Sequence, residues 1–188
     1  MNDIHGLKLD NPEKRLRYYE LILERKTLED LPQFLLPPGY RFAFYQPGDC
    51  EAWLEIERSA GELVGLDDGL EAWDHYYGGR EAQLGQRMIF VETDEGEKVA
   101  TATAFYEPDD PSGAGWLHWV AVKKTHQGRG LSKPLIAKAL RTLRALGYTH
   151  AKIPTQTTTW VAVGIYLDFG FVPFAPHAAH QAEGGFYL

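Results

Sequence analysis

The run Gln127-Gly128-Arg129-Gly130-Leu131-Ser132 is built to hold an anion on main-chain groups. Two glycines one residue apart let backbone amides approach a ligand without interference from Cβ. A helix starting just beyond them would add unpaired N–H groups and the positive end of its dipole. Phosphate suits such a cradle. Two common nucleotide loops are excluded, because the Gly-Lys-Ser/Thr ending of the Walker loop is missing and Lys133 stands where the dinucleotide fingerprint needs a third glycine. A bare Gly-x-Gly also serves as a structural turn, so the surrounding elements must decide.

The charge distribution favours the anion reading. The chain of 188 residues has a net charge of −7, which argues against nucleic acid as a partner of the whole surface. From Lys123 to Leu167 there is no Asp or Glu, while Lys123, Lys124, Arg129, Lys133, Lys138, Arg141, Arg144 and Lys152 contribute +8. Conversely, Glu51, Glu55, Glu57, Glu62, Asp67, Asp68, Glu71 and Asp74 are opposed only by Arg58. An acidic wall with Trp53, Trp73, Tyr76 and Tyr77 would suit a cationic or aromatic amine, and solvated helix faces explain the same charges.

The elements that must position these residues follow from patterning. Length, 44% hydrophobic and 24% charged residues fit one folded domain with an appendage. The single Cys50 excludes an internal disulfide. The longest apolar run, Trp160 to Leu167, is too short to cross a membrane, and Met1 to Lys26 carries no secretory pattern, so a cytoplasmic protein is expected. Asn11 to Lys26 is expected to form an amphipathic helix, followed by a Leu- and Pro-rich connector. Residues 1–39 thus form an N-terminal extension before a main domain over 40–188.

Within that domain a strand is expected at Tyr40–Tyr45, then a helix from Cys50 to Ser59 capped by Asp49, and a second from Leu70 to Tyr77. Strands at Arg87–Glu92 and Lys98–Tyr106 read as a hairpin. Trp116 to Val122 reads as a central strand with His118, Val120 and Val122 on one face and Leu117, Trp119 and Ala121 on the other. A helix with Leu135, Ile136, Ala139, Leu140 and Leu143 follows the glycine loop and is closed by Gly147. A strand at His150–Pro154, a helix near Thr159–Asp168, a strand at Phe171–Phe174 and an edge strand at Phe186–Leu188 complete the chain. The order β-α-α-β-β-β-α-β-α-β implies an α/β (α+β) fold, one mixed sheet with helices on both faces.

Val120-Ala121-Val122, the loop, and Gln127-Gly128-Arg129-Gly130-Leu131-Ser132 opening an amphipathic helix resemble the acetyl-CoA-binding motif of the GNAT acetyltransferase superfamily. That motif is written Gln/Arg-x-x-Gly-x-Gly/Ala, or locally Arg/Gln-Gly-x-Gly-x-Gly/Ala; Ser132 departs from it at the last position. Thr159, Ala162 and Tyr166-Leu167-Asp168-Phe169-Gly170-Phe171 resemble the family's later Asn-x-x-Ala and Leu-Tyr-x-x-x-Gly-Phe segment, with Thr159 where asparagine is common. The resemblance spans about Tyr40 to Phe174. It implies a mostly antiparallel sheet in which a central strand pair splays apart.

The resemblance also implies roles. Amides of Gln127, Gly128, Arg129, Gly130, Leu131 and Ser132 would hold the pyrophosphate of coenzyme A, with Arg129, Lys133 and Lys123 or Lys124 near the phosphates. Thr159 belongs to the same cosubstrate-binding set. Backbone groups of Val120, Ala121 and Val122 would bind the pantetheine arm and polarise the thioester, an interaction worth ~3 kcal/mol. Tyr166 would protonate the departing thiolate, and His118 would take the amine proton, as a strand histidine does in the arylalkylamine branch.

The implied activity is direct acetyl transfer from acetyl-CoA to an amine of a small molecule or peptide, without nucleic acid or membrane. The first forty residues are left with two roles, dimerisation or covering the sheet. A noncatalytic acyl-CoA sensor and a protein-interaction module remain alternatives on the same fold. No metal site is expected, since His177-Ala-Ala-His180 lacks a carboxylate-rich partner set and Cys50 reads as a packing residue.

Overall fold

The computed structural model describes residues 19–63 and 66–174, with side chains omitted for 66–68. The expected features at Asn11–Pro12, the loop 175–185, the histidines 177 and 180 and the strand Phe186–Leu188 lie outside the described residues.

Among the described residues seven strands form one sheet in the order β2-β3-β4-β5-β6-β1-β7. They are β1 (Glu20–Arg25), β2 (Tyr40–Phe44), β3 (Met88–Thr93), β4 (Lys98–Tyr106), β5 (Gly115–Val122), β6 (Ala151–Gln156) and β7 (Val172–Pro173). All neighbours pair antiparallel except β5 and β6, which run parallel. The helices are α1 (Cys50–Ala60), α2 (Leu66–Tyr77), α3 (Glu81–Arg87), α4 (Ser132–Ala145) and α5 (Trp160–Asp168). Strands β3, β4 and β5 are apolar on both faces because each face meets helices. On one face α4 and α5 pack Leu135, Ile136, Leu140, Leu143 and Tyr166 against Ile89, Ala102 and Leu117. On the other, α1 and α2 bring Trp53, Leu54, Ile56, Trp73 and Tyr77 against Met88, Phe90 and Phe105.

Several expectations need correction. Residues 20–25 are a strand between β6 and β7, where a helix was expected. Leu21, Ile22 and Leu23 are consecutive aliphatics that satisfy either period, and pairing on both edges decides for the strand. Leu23 and Arg25 turn inward, and the Arg25 guanidinium donates to the carbonyls of Phe169 and Asp30. The short α3 escapes periodicity because it has one buried apolar residue, Leu84, and a glycine in its middle. Asp49 stands at the start of α1 without capping it; its carboxylate accepts from the Gln46 N–H at 2.8 Å.

Candidate active site

Among the described residues, strand β5 is paired along β4 yet meets β6 only at Gly115↔Ala151 and Trp116↔Lys152. From Leu117 onward the two strands part, so the β6-facing main-chain groups of β5 have no ladder partner among the described residues. The closed end of this wedge is pinned by Asp110, whose carboxylate accepts from Trp116 Nε1 at 2.9 Å and from the buried Lys152 ammonium at 3.0 Å. Burial alone would raise the Asp110 pKa, but hydrogen bonds from Ser112, Lys152 and Trp116 bring it down to about 2.

The faces of β5 differ from strict alternation. Thr101 pairs with Ala121 and Thr103 with His118, so two residues of β5, Trp119 and Val120, bulge opposite one of β4. Trp119 takes φ 50°, a left-handed conformation costly for a bulky side chain and one that marks functional strands. The bulge puts His118, Trp119 and Ala121 together on the α1/α2 face and Leu117, Val120 and Val122 on the α4 face. The expected grouping of His118 with Val120 and Val122 is therefore overturned.

At the open end of the wedge, β5 runs into a 3-10 turn (Lys124–His126) and the glycine loop. Gly128 and Gly130 adopt φ 76° and 80°, which residues with a Cβ rarely accept. Gln127 Nε2 donates to the Val122 carbonyl at 3.1 Å, tying the loop to the strand end. Helix α4 then begins at Ser132 with no side-chain cap, and Pro134 occupies its first turn, so its leading amides are left to an outside acceptor. Arg129 is exposed and braced by the Tyr40 hydroxyl and the Thr125 carbonyl. Lys133 pairs with Asp168 at the surface. Lys123 turns away from this cradle: its buried ammonium lies 3.0 Å from both Glu55 and Glu97, on the α1 side. A hollow of about 460 Å³ borders the loop at His126 and Arg129, but Asp94, Glu95 and Glu97 also line it and oppose an anion there.

Tyr166 is buried in the α4/α5 core, edge-on to Phe171. Burial holds its phenolic proton more tightly than usual, and the carboxylates of Glu62 and Glu57 act in the same direction. Thr159 precedes α5 and donates to the Gln156 carbonyl at 2.9 Å. His118 is buried against the Phe105 ring at 4.6 Å and edge-on to Tyr76 at 5.3 Å. Burial lowers its pKa to about 3, so it is neutral, and the 3.4 Å approach of Glu107 is not an ion pair.

The aromatic residues of the expected acceptor wall separate. Trp53, Trp73 and Tyr77 are core, each at least 95% covered, while Tyr76 is partly exposed beside His118 and Trp119. Cys50 is half-buried, its pKa raised to about 11 by burial and by Glu51, Asp74 and Glu81, so it is no thiolate. Sequence reasoning did not single out Glu57. It is fully buried on α1, neither carboxylate oxygen has a hydrogen-bond partner, and burial together with Glu62 pushes its pKa well above the usual range. Its signal was its place: four residues after Trp53, it occupies a position of the apolar stripe of α1.

Comparison with known proteins agrees with this geometry. The profile of the Acetyltransferase (GNAT) family matches residues 50–171. Mycothiol acetyltransferase of Beutenbergia cavernae is 25% identical over 147 residues, covering 77% of this chain and 49% of its own length. The Catenulispora acidiphila protein of the same name is 27% identical over 174 residues, covering 86% and 53%. The chain thus spans about half the length of the curated relatives it matches. Among solved structures, a GCN5-related N-acetyltransferase from Sphaerobacter thermophilus superposes with TM-score 0.67 at 18% identity, over 82% of this chain and 48% of that one. The ribosomal-protein-S18-alanine N-acetyltransferase of Escherichia coli gives 0.54 at 18% identity, over 71% and 77%. These two likenesses concern the fold.

Proposed function

Since the chain belongs to the Acetyltransferase (GNAT) family, we propose that it transfers the acetyl group of acetyl-CoA directly to a primary amine of a small molecule. The observation that carries this reading is the parted β5–β6 pair with an uncapped helix end at its mouth. The residues present fit the cosubstrate: an unpaired strand edge suits an amide-bearing arm, and the glycine loop suits a diphosphate. The curated relatives are named mycothiol acetyltransferases, which favours a small-molecule acceptor over a peptide.

In this reading the amides from Gln127 to Ser132, with Lys133 beside them, bind the diphosphate, and Thr159 fixes the start of α5. Backbone N–H groups of Val120 to Val122 orient the acyl carbonyl and stabilise the oxyanion that develops there. Tyr166 of α5 donates its proton to the departing thiolate; its raised pKa keeps it protonated at neutral pH. His118, neutral and with low proton affinity, serves as a hydrogen-bonding wall for the acceptor beside Tyr76.

Calorimetry with CoA tests the cosubstrate. Saturable binding is expected, and folded protein giving no heat with CoA or acetyl-CoA rules the reading out. Thiol release in the presence of polyamines, aminosugars and amino acid amides then tests transfer.

A further inference from the structure

The hydroxyl of Tyr40, the first residue of β2, joins two side chains of the loop that follows β5. Arg129 Nη1 donates to it at 3.1 Å, and it lies 3.0 Å from His126 Nδ1. A guanidinium can only donate, so the Tyr40 oxygen accepts from Arg129 and its own proton goes to His126 Nδ1, which leaves the ring proton on Nε2. Both partners belong to the loop and neither to the sheet that carries Tyr40. The segment leading to Tyr40 leans on the same loop. A Cβ on Gly130 would meet Pro37 Cγ at 3.9 Å, and Gly39, at φ 87°, turns the chain from there into β2.

We propose that Tyr40 is a positioning residue for the cosubstrate: it holds Arg129 beside the glycine loop, set to pair with the diphosphate of coenzyme A. The proposal deepens the acetyltransferase reading above and rests on it. Arg129 is held by uncharged acceptors, the Tyr40 hydroxyl and the Thr125 carbonyl, so its charge is left for an anion. Lys133, by contrast, is already paired with Asp168. The hollow that Arg129 borders is also lined by Asp94, Glu95 and Glu97, so a released guanidinium has carboxylates to turn to. The Tyr40 hydroxyl opposes that swing. Fixing a long side chain before the ligand arrives also removes part of the ordering cost of binding.

Calorimetry with CoA and with dephospho-CoA, which keeps the diphosphate and lacks the 3′-phosphate, tests this on wild type, Tyr40→Phe, Arg129→Ala and the double variant. Tyr40→Phe keeps the ring that meets His126 edge-on at 5.9 Å and loses only the hydroxyl. It is expected to weaken both ligands about fivefold. Arg129→Ala is expected to weaken both about tenfold, and the double variant no further, because Tyr40 acts through Arg129. A merely structural contribution of the hydroxyl would instead add to the Arg129 loss.

Tyr40→Phe that binds CoA within about twofold of wild type overturns the proposal, as does a double variant about fivefold weaker than Arg129→Ala. A loss seen with CoA and absent with dephospho-CoA overturns it too, by moving Arg129 to the 3′-phosphate. Wild type that binds neither ligand brings down the acetyltransferase reading itself, and the proposal with it.

Discussion

The Lys152 ammonium on β6 and the Asp110 carboxylate stand 3.0 Å apart at the closed end of the wedge, and both are buried. The pair sits where β5 and β6 last meet, at Trp116↔Lys152, with Trp116 Nε1 donating to the same carboxylate.

Tyr166→Phe removes one hydroxyl from a packed core and should leave the melting temperature nearly unchanged. Thiol release with a competent amine is expected to fall about 100-fold, in kcat more than in KM. Steady-state kinetics on the variant check this, with calorimetry on CoA as the control for an intact binding site.

Gly130→Ala tests the loop. A Cβ there would meet only Pro37 Cγ at 3.9 Å, so space is not the obstacle; the φ of 80° is. Holding alanine in that conformation costs about 1–2 kcal/mol. If the loop relaxes instead, its amides lose their aim. CoA affinity should drop about tenfold, read by calorimetry, with only a small change in denaturant midpoint.

Glu57 also makes a prediction about stability. Its folded pKa lies above the unfolded value, so the native state binds the extra proton. Stability is therefore full below the ordinary glutamate range near 4.5 and is lost as pH rises through the elevated folded value. Glu57→Gln should abolish that decline, making the variant at least as stable as wild type on the alkaline side. Urea melts of both proteins across pH decide the matter.

Asp110→Asn attacks the closed end of the wedge. It leaves the buried Lys152 ammonium without its counterion, a loss of about 3 kcal/mol. The opposite pH sign applies here: with a folded pKa of about 2 against an ordinary 3.8, Asp110 contributes stability above 3.8 that vanishes as pH falls through about 2. The variant should lack that acid-side loss, which melts at low pH would reveal.

Much of this arrangement is legible in the sequence where the information is local. The glycine loop, the amphipathic α4 and the apolar β5 announce themselves through turn chemistry and periodicity. The Trp119 bulge does not, since it exists only in the register against β4. Residues 20–25 misled because three aliphatics in a row fit two periods, and pairing with β6 and β7 is a long-range decision. Lys123 looked like a phosphate ligand by its place in a basic run, yet Glu55 and Glu97, distant in sequence, claim it. Glu57 was hidden among seven other carboxylates of its segment, and burial alone sets it apart.

Since, among the described residues, only Gly115↔Ala151 and Trp116↔Lys152 stitch β6, β1 and β7 to the rest of the sheet, that sheet is two leaves sharing a short spine. Whatever fills the gutter between the leaves becomes, while it stays, a structural member of the sheet. On the proposed function, loading and discharge of the cosubstrate stiffen and slacken the molecule along that fold line, and backbone amides of β5 and β6 are expected to report the cycle in their exchange with deuterated solvent.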